Sequence, residues 1–206
     1  MGPNALRYSE RVLAILRGWP AGPGRLRVVQ PVLIAMCGLP FSGKSVLAGS
    51  LSHELRIRLL SYDYEIYLPH QHLIPPGSSV AAGYHFVQDI ARRQIGAILA
   101  AGESLIYDDL LLERGDRRKL AAVAHHHGAE LVLVFLDTPL SVIDQRREEN
   151  SRTRTRTSVP EADMRLNASL LEPPDRAERP ICVRPDDALT DVLNRIRTRW
   201  PRLEVG

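Results

Sequence analysis

The sequence predicts an α/β fold, a three-layer α/β/α sandwich around a parallel sheet, and two observations carry that expectation. Short apolar runs alternate along the chain with longer segments of helical period, the pattern of strand-helix-strand units whose crossovers are right-handed. The first core run, Val32-Leu33-Ile34-Ala35-Met36-Cys37, opens directly into Gly38-Leu39-Pro40-Phe41-Ser42-Gly43-Lys44-Ser45, which fits the pattern G-x-x-x-x-G-K-[ST] and leads into a helical segment. Strand, glycine loop and helix start therefore stand in the order that a phosphate-binding loop requires.

Taken in order, Asn4 to Leu16 reads as an amphipathic helix, with Leu6, Val12, Leu13, Ile15 and Leu16 among charges, and Pro20 to Gly24 reads as a linker. Residues 1–24 are thus expected to be an appendage to a domain over 25–206. Within that domain the first strand, Val32 to Cys37, precedes a helix from Lys44 to Leu55 with Val46, Leu47 and Leu51 on its apolar positions. A short second strand, Leu59 to Tyr62, ends at Asp63. Tyr67 to Gly83, rich in Pro and Gly, reads as irregular and as part of a binding surface. A helix from Tyr84 to Ala101 leads to strand three, Ser104 to Tyr107, followed by Asp108-Asp109. A helix from Arg114 to His127 then precedes strand four, Glu130 to Leu136, and Pro139 marks the next helix start. Polar residues 152–179, a fifth strand from Ile181 to Arg184 and a helix from Ala188 to Trp200 complete the domain.

A chain of 206 residues has room for one such domain with a lid of roughly 150–180, and not for a second. Its net charge of +3 is too small to point to nucleic acid, although Arg146, Arg147, Arg152, Arg154 and Arg156 concentrate positive charge locally. No apolar run reaches the eighteen or so residues of a membrane span, so a cytoplasmic protein with no membrane partner is expected.

The loop carries the chemistry. Backbone N–H groups curled around phosphate oxygens at a helix N-terminus make an anion site, and only glycine-rich geometry permits the curl. Residues Gly38 to Val46 are the expected nucleotide contacts: Lys44 for the β and γ phosphates, Ser45 for Mg²⁺. Lys44 is one of only two lysines in a chain otherwise served by arginine, at a position that suits a compact, flexible ammonium. By composition alone, about one chain in a thousand like this one would contain the motif.

Ligands of open α/β sheets lie outside the carboxyl ends of the strands, so carboxylates there are candidates. Asp108 ends an apolar strand and is the expected partner of the metal, with Asp109 an alternative ligand or a cap of the following segment. Asp63 is the expected general base, with Glu65 second in line. Arg146 and Arg147 begin an arginine-rich segment whose forks could neutralise a transferring phosphoryl group. Adjacent histidines 125–127 point in different directions on a helix and suit metal chelation poorly.

These residues resemble the P-loop kinase families that include polynucleotide kinase, chloramphenicol phosphotransferase and small AAA_33-type kinases. The resemblance covers Pro31 to Trp200 and rests on the glycine loop, Ser61-Tyr62-Asp63, Ile106-Tyr107-Asp108-Asp109, Leu136-Asp137-Thr138-Pro139 with Arg146-Arg147, and Glu172-Pro173-Pro174. It implies a P-loop NTPase sheet of order 2-3-1-4-5, Asp63 as base, Asp108 near metal or acceptor, Arg146 at a lid hinge, and Arg184 bordering the adenine. In that order a strand separates Cys37 from Cys182, both on expected buried strands, by about 9–10 Å, too far for a disulfide. Two departures stand out: Phe41 replaces a frequent glycine, and Ile66 stands where polynucleotide kinases tend to carry arginine.

The expected activity is transfer of the γ-phosphate of ATP, with Mg²⁺, to a hydroxyl of a small molecule such as a nucleoside, sugar or antibiotic. The alternatives are a polynucleotide 5′-hydroxyl kinase, a toxin-type nucleotide-sugar kinase and, in another class, a nucleotide-dependent switch ATPase. Nucleic acid is the weaker partner because Ile66 removes a phosphate-contacting charge. The switch lacks support because the chain has no Asn-Lys-x-Asp motif.

Overall fold

The computed structural model of the chain describes residues 30–200, so the expected helix at Asn4 to Leu16 and the linker after it lie outside the described residues. Five strands form one parallel sheet: β1 (Val32–Cys37), β2 (Arg58–Ser61), β3 (Leu105–Asp108), β4 (Glu130–Leu136) and β5 (Ile181–Val183). Their spatial order is β2-β3-β1-β4-β5, as expected. Alternation within β1 explains the layers. Val32, Ile34 and Met36 pack with α1 (Lys44–Leu55) and the C-terminal helix Leu189–Arg199, whereas Leu33, Ala35 and Cys37 pack against the long helix Val80–Ala100 on the opposite face. Because helices cover both faces, every residue of β1 is buried, and burying each large aliphatic side chain stabilises by about 1.5–3 kcal/mol.

The largest departure from expectation follows β2. The strand ends at Ser61, and Tyr62–Tyr67 forms a π-helical turn, continued by α2 (Leu68–His70) and a 3-10 turn at Gln71–Leu73. Asp63 thus lies on a wide helical turn rather than on a strand end. Glu65 Oε1 accepts from the Ser61 N–H at 3.1 Å, which ties the turn to the strand it leaves. Helix α3 (Val80–Ala100) starts four residues before the expected Tyr84, because Ser79 caps it by accepting the Ala82 N–H at 3.2 Å. Only residues 74–79 of the expected irregular stretch lack helical structure. Val46, expected on the apolar side of α1, is 57 % exposed, and Cys182 is exposed rather than buried. Cys37, Phe135 and Cys182 stand in register on three successive strands, and both cysteines are free.

The remaining helices are α4 (Arg114–His126), α5 (Leu140–Thr153), α6 (Glu161–Leu170) and α7 (Leu189–Arg199). The expected lid residues hold the end of α5, all of α6 and a strap over 172–178. Leu39, Leu112, Ile143 and Met164 form a small core beneath α5 and α6, joined by Phe41 and Val159. Charge fastens the strap to the body. Arg117, 2 % exposed, makes paired hydrogen bonds to Glu178 at 2.7 and 3.0 Å and donates to the Leu111 and Leu112 carbonyls. Arg114 reaches Asp175 at 3.0 Å, and its N–H donates to Glu172 at 2.6 Å.

Removing one partner of a buried ion pair strands the other, which costs far more than the pair is worth. Glu178→Ala is therefore expected to destabilise the protein by about 2–3 kcal/mol, visible in thermal unfolding as a loss of several degrees. Glu178→Gln, which keeps the hydrogen-bonding shape, should lose less than half of that.

Candidate functional site

The loop Gly38 to Ser45 crosses from the carboxyl end of β1 to α1 at the edge where β3 and β4 also end. Its path needs glycine at two points. Gly38 has φ +141° and a Cβ there would lie 3.0 Å from the Leu136 carbonyl oxygen; Gly43 has φ +109°. The Gly38 N–H donates to Leu110 O at 3.0 Å and the Ser42 N–H to Leu39 O at 3.2 Å. Phe41, in the place where a glycine is frequent, takes φ +62°, so the loop demands left-handed backbone there and a bulky side chain accepts it.

Lys44 is 7 % exposed and donates from Nζ to Leu39 O at 2.7 Å. Burial lowers its pKa below the usual lysine range, and the nearby Asp108 and then Asp109 oppose that shift. Asp108, the last residue of β3 and in register with Ser61, is 9 % exposed. Burial raises its pKa, opposed by Lys44 and by a hydrogen bond from the Ser45 side chain. Asp63 faces the cleft and solvent, yet the protein around it raises its carboxyl pKa too, with Lys44 pulling it back down. The expected loop, Walker-type acid and base are thus brought together around one ammonium. Glu65, the second choice for the base, is held by Ser61 N–H and lies 3.7 Å from Arg58.

The second acid of the pair behaves differently. Asp109 is 5 % exposed; its Oδ1 accepts from the Leu110 N–H at 2.7 Å, and its Oδ2 accepts from Gln88, from Tyr107 at 3.2 Å and from Tyr84 at 3.3 Å. Burial outweighs these donors and raises its pKa to about 6. This buried network was not legible in the sequence: Tyr84 and Gln88 are ordinary helix residues until α3 packs over the end of β3.

The arginines divide. Arg146 Nη1 donates to the Phe41 and Ser42 carbonyls at 3.0 and 2.7 Å, and Thr138 adds a bond to Ser42 O at 3.1 Å. Two residues of the β4–α5 junction and α5 therefore hold the outer side of the phosphate loop. Arg147 instead pairs with Asp144 and Glu161, joining α5 to the start of α6. Arg184 follows β5 at the same sheet edge, exposed, with its N–H donating to Asp187 at 3.2 Å. Val46 and Ser45 are exposed in the first turn of α1.

This site fits a nucleotide with its metal. Ser42 Oγ is buried and without a hydrogen-bond partner, inside a loop whose glycines leave space where side chains would block it. No cluster of three or more His, Cys, Asp or Glu suited to a metal occurs among the described residues. A hydroxyl beside one carboxylate, Ser45 with Asp108, suits Mg²⁺, which takes few protein ligands and completes its shell with water and phosphate.

Two variants check the loop's strain. Phe41→Gly should leave stability within about 1 kcal/mol of the parent, relief of strain offsetting lost packing and backbone entropy, whereas Phe41→Val should cost about 1–2 kcal/mol, giving the Tm order Gly above Val. The Asp109 shift gives a pH test. A carboxyl that keeps its proton to about pH 6 when folded, but only to about 3.9 when unfolded, lowers stability as pH rises between those values. Asp109→Asn should remove that downward slope from the stability profile measured by denaturant unfolding between pH 4 and 6.

Solved structures share the fold. Chaetomium thermophilum Kti12, solved with ADP-AlF3, aligns with a TM-score of 0.68 at 18% identity over 84% of this chain and 100% of that one. A gluconokinase from Sinorhizobium meliloti gives 0.58 at 22% over 84% and 93%. The APS kinase CysC of Mycobacterium tuberculosis, with AMPPNP and APS, gives 0.58 at 18% over 83% and 98%. No curated protein matches the sequence. The AAA_33 model, an AAA domain, matches residues 33–174, from the second residue of β1 through the proline pair that opens the strap. With the phosphate loop, the Asp108 strand and four of the five strands inside that span, which covers more than half of the chain, the chain belongs to the AAA_33 family.

Proposed function

We propose that the protein is a P-loop phosphotransferase that moves the γ-phosphate of ATP to a hydroxyl of a small molecule. The observation that carries this reading is the convergence of Asp63 and Asp108 on the buried Lys44 at the mouth of the phosphate loop. Transfer to an alcohol calls for a second, solvent-facing carboxylate beside the loop to take the hydroxyl proton, a role that hydrolysis by a nucleotide switch does not require of Asp63. The shared fold of gluconokinase and APS kinase adds support.

In this reading the loop N–H groups and Lys44 bind and orient the phosphates, and Ser45 with Asp108 would hold Mg²⁺, which supplies charge neutralisation when bound. Asp63 takes the acceptor's hydroxyl proton as the new O–P bond forms; the bond from the γ-phosphorus to the bridging oxygen breaks, and ADP leaves with that electron pair. Arg146 keeps the loop carbonyls turned outward, so that the N–H groups face the ligand. Closure of the arginine-rich segment would bring further guanidinium charge to the phosphates, and Arg184 would border the base of the nucleotide. In this reading the catalytic unit lies within residues 25–206. We place the protein in the cytoplasm; no described helix is long and apolar enough to cross a membrane.

The test is transfer from labelled Mg-ATP to a pooled panel of nucleosides, sugars, hydroxylated antibiotics and a 5′-hydroxyl oligonucleotide. Lys44→Ala and Asp63→Asn should each lower transfer by about 10²–10⁴-fold. Asp63→Asn should leave nucleotide binding within a few-fold. Label found only as free phosphate, and unchanged by Asp63→Asn, would replace the kinase with an ATPase.

A further inference from the structure

Apart from Lys44 of the phosphate loop, the walls on the side of the site where an acceptor must bind carry no lysine or arginine of their own among the described residues. An acceptor hydroxyl has to lie beside Asp63, so its walls come from the π-helical turn, α2, the first turns of α3 and the end of β3. From Leu59 to Ala91 there is no lysine or arginine, and none occurs from Gly102 to Glu113. At the chain's average, about four would fall in the first stretch alone. The same stretches carry Asp63, Glu65, Asp89, Glu103, Asp108, Asp109 and Glu113. Flanking cations among the described residues are committed elsewhere: Arg58 lies against Glu65, Arg92 against Asp89, Arg114 and Arg117 hold Asp175 and Glu178, and Lys119 bonds Asp116. His70 donates from Nδ1 to the Ile66 carbonyl at 2.7 Å, and His85 Nδ1 stands 3.8 Å from Asp116. Positive charge is gathered instead on α5 and the residues after it, where Arg146 grips the phosphate loop.

What these walls offer in place of cations is aromatic surface and hydrogen-bonding groups. The Tyr62 ring lies 5.5 Å from Tyr84 and 6.1 Å from Tyr67, centroid to centroid, and Tyr84 lies 5.7 Å from His85. Tyr62 is 6 % exposed, and its hydroxyl is buried without a hydrogen-bond partner, in the field of Asp109 and then Asp63. Tyr67 and Phe86 are each 36 % exposed on the same segment. Flat aromatic faces beside a carboxylate bind ring compounds through their hydroxyl or amino hydrogens, and the carboxylate repels phosphate, sulfate and carboxylate, for which these walls carry no guanidinium fork among the described residues.

We propose that the acceptor is a hydroxylated ring compound with no anionic group, neutral or amino-substituted, bound beside Asp63 against the exposed Tyr67 side of the Tyr62-Tyr67-Tyr84 cluster. This rests on the kinase reading above and narrows it to one charge class.

The experiment compares ring acceptors that differ in charge: glucose and glucosamine against glucuronate, and a nucleoside against its 3′-phosphate. Transfer from Mg-ATP is followed by the full-length protein, its Lys44→Ala variant and a Tyr67→Arg variant. Within a pair that is turned over, the neutral or amino member should exceed its anionic counterpart at least about tenfold in kcat/KM. Tyr67→Arg, a change on an exposed side chain, should narrow that gap by raising the anionic rate. Anionic members used as well as or better than neutral ones, with transfer still lost in Lys44→Ala, would overturn this inference and leave the kinase standing. No transfer to any member, with ADP still formed, would remove the kinase and this inference with it.

Discussion

A lysine ammonium with only 7 % of its residue exposed must be compensated, and the way this chain compensates Lys44 organises the carboxyl edge of the sheet. One bond goes to the Leu39 carbonyl inside the loop itself, and the charges that most favour its ammonium are those of Asp108 and Asp109 at the end of the adjacent strand. That arrangement requires β3 to lie directly beside β1, in the register that sets Ala35 opposite Tyr107. It also requires the loop to turn tightly enough for Lys44 to point back over it, which Gly38 and Gly43 allow through their positive φ values. Sheet order, loop conformation and the electrostatics of the cleft are therefore one constraint seen at three scales.

The loop is held from its outer side as firmly as from its inner side. Arg146 and Thr138 bond the Ser42 carbonyl, and Arg146 also bonds that of Phe41, so the peptide units between are turned with their oxygens outward. Helices α5 and α6 rest on the loop through Leu39, Ile143 and Met164, and the strap behind α6 is fixed by the buried Arg117-Glu178 pair. A loop in which a phenylalanine accepts left-handed backbone needs such support, because a residue held in a strained conformation relaxes unless its surroundings determine it. Motion of α5 would act directly on the conformation of the phosphate site.

Charge is segregated across the cleft. Arginines collect on α5 and beyond it, while the π-helical turn, the start of α3 and the end of β3 carry carboxylates and tyrosines. In the proposed kinase, such a division would let one side attract polyphosphate while the other discriminated among acceptors by what it repels. Asp109 illustrates the cost: a carboxylate buried among Tyr84, Gln88 and Tyr107 has its pKa raised to about 6, close enough to neutrality for pH to alter the wall.

Much of this was readable along the chain. The phosphate loop, the strand run before it and the acids at strand ends are local patterns, set by backbone geometry and by alternation of apolar residues, so neighbours in sequence suffice to reveal them. The sheet order came through family resemblance and agrees with the structure. The π-helical turn did not show itself, because its hydrogen-bond spacing depends on Glu65 reaching back to Ser61 and on Tyr62 packing against Tyr84, 22 positions away. The Asp109 network, the grip of Arg146 on the loop and the Arg117-Glu178 clamp were equally hidden, since each joins residues that share no local pattern. The sequence by itself determined the five strands, the main helices and the place of the glycine loop between strand and helix, because these follow from short-range sterics and residue type. Only the tertiary structure decided which charges face one another across the cleft, because burial and distance between distant segments set their strength.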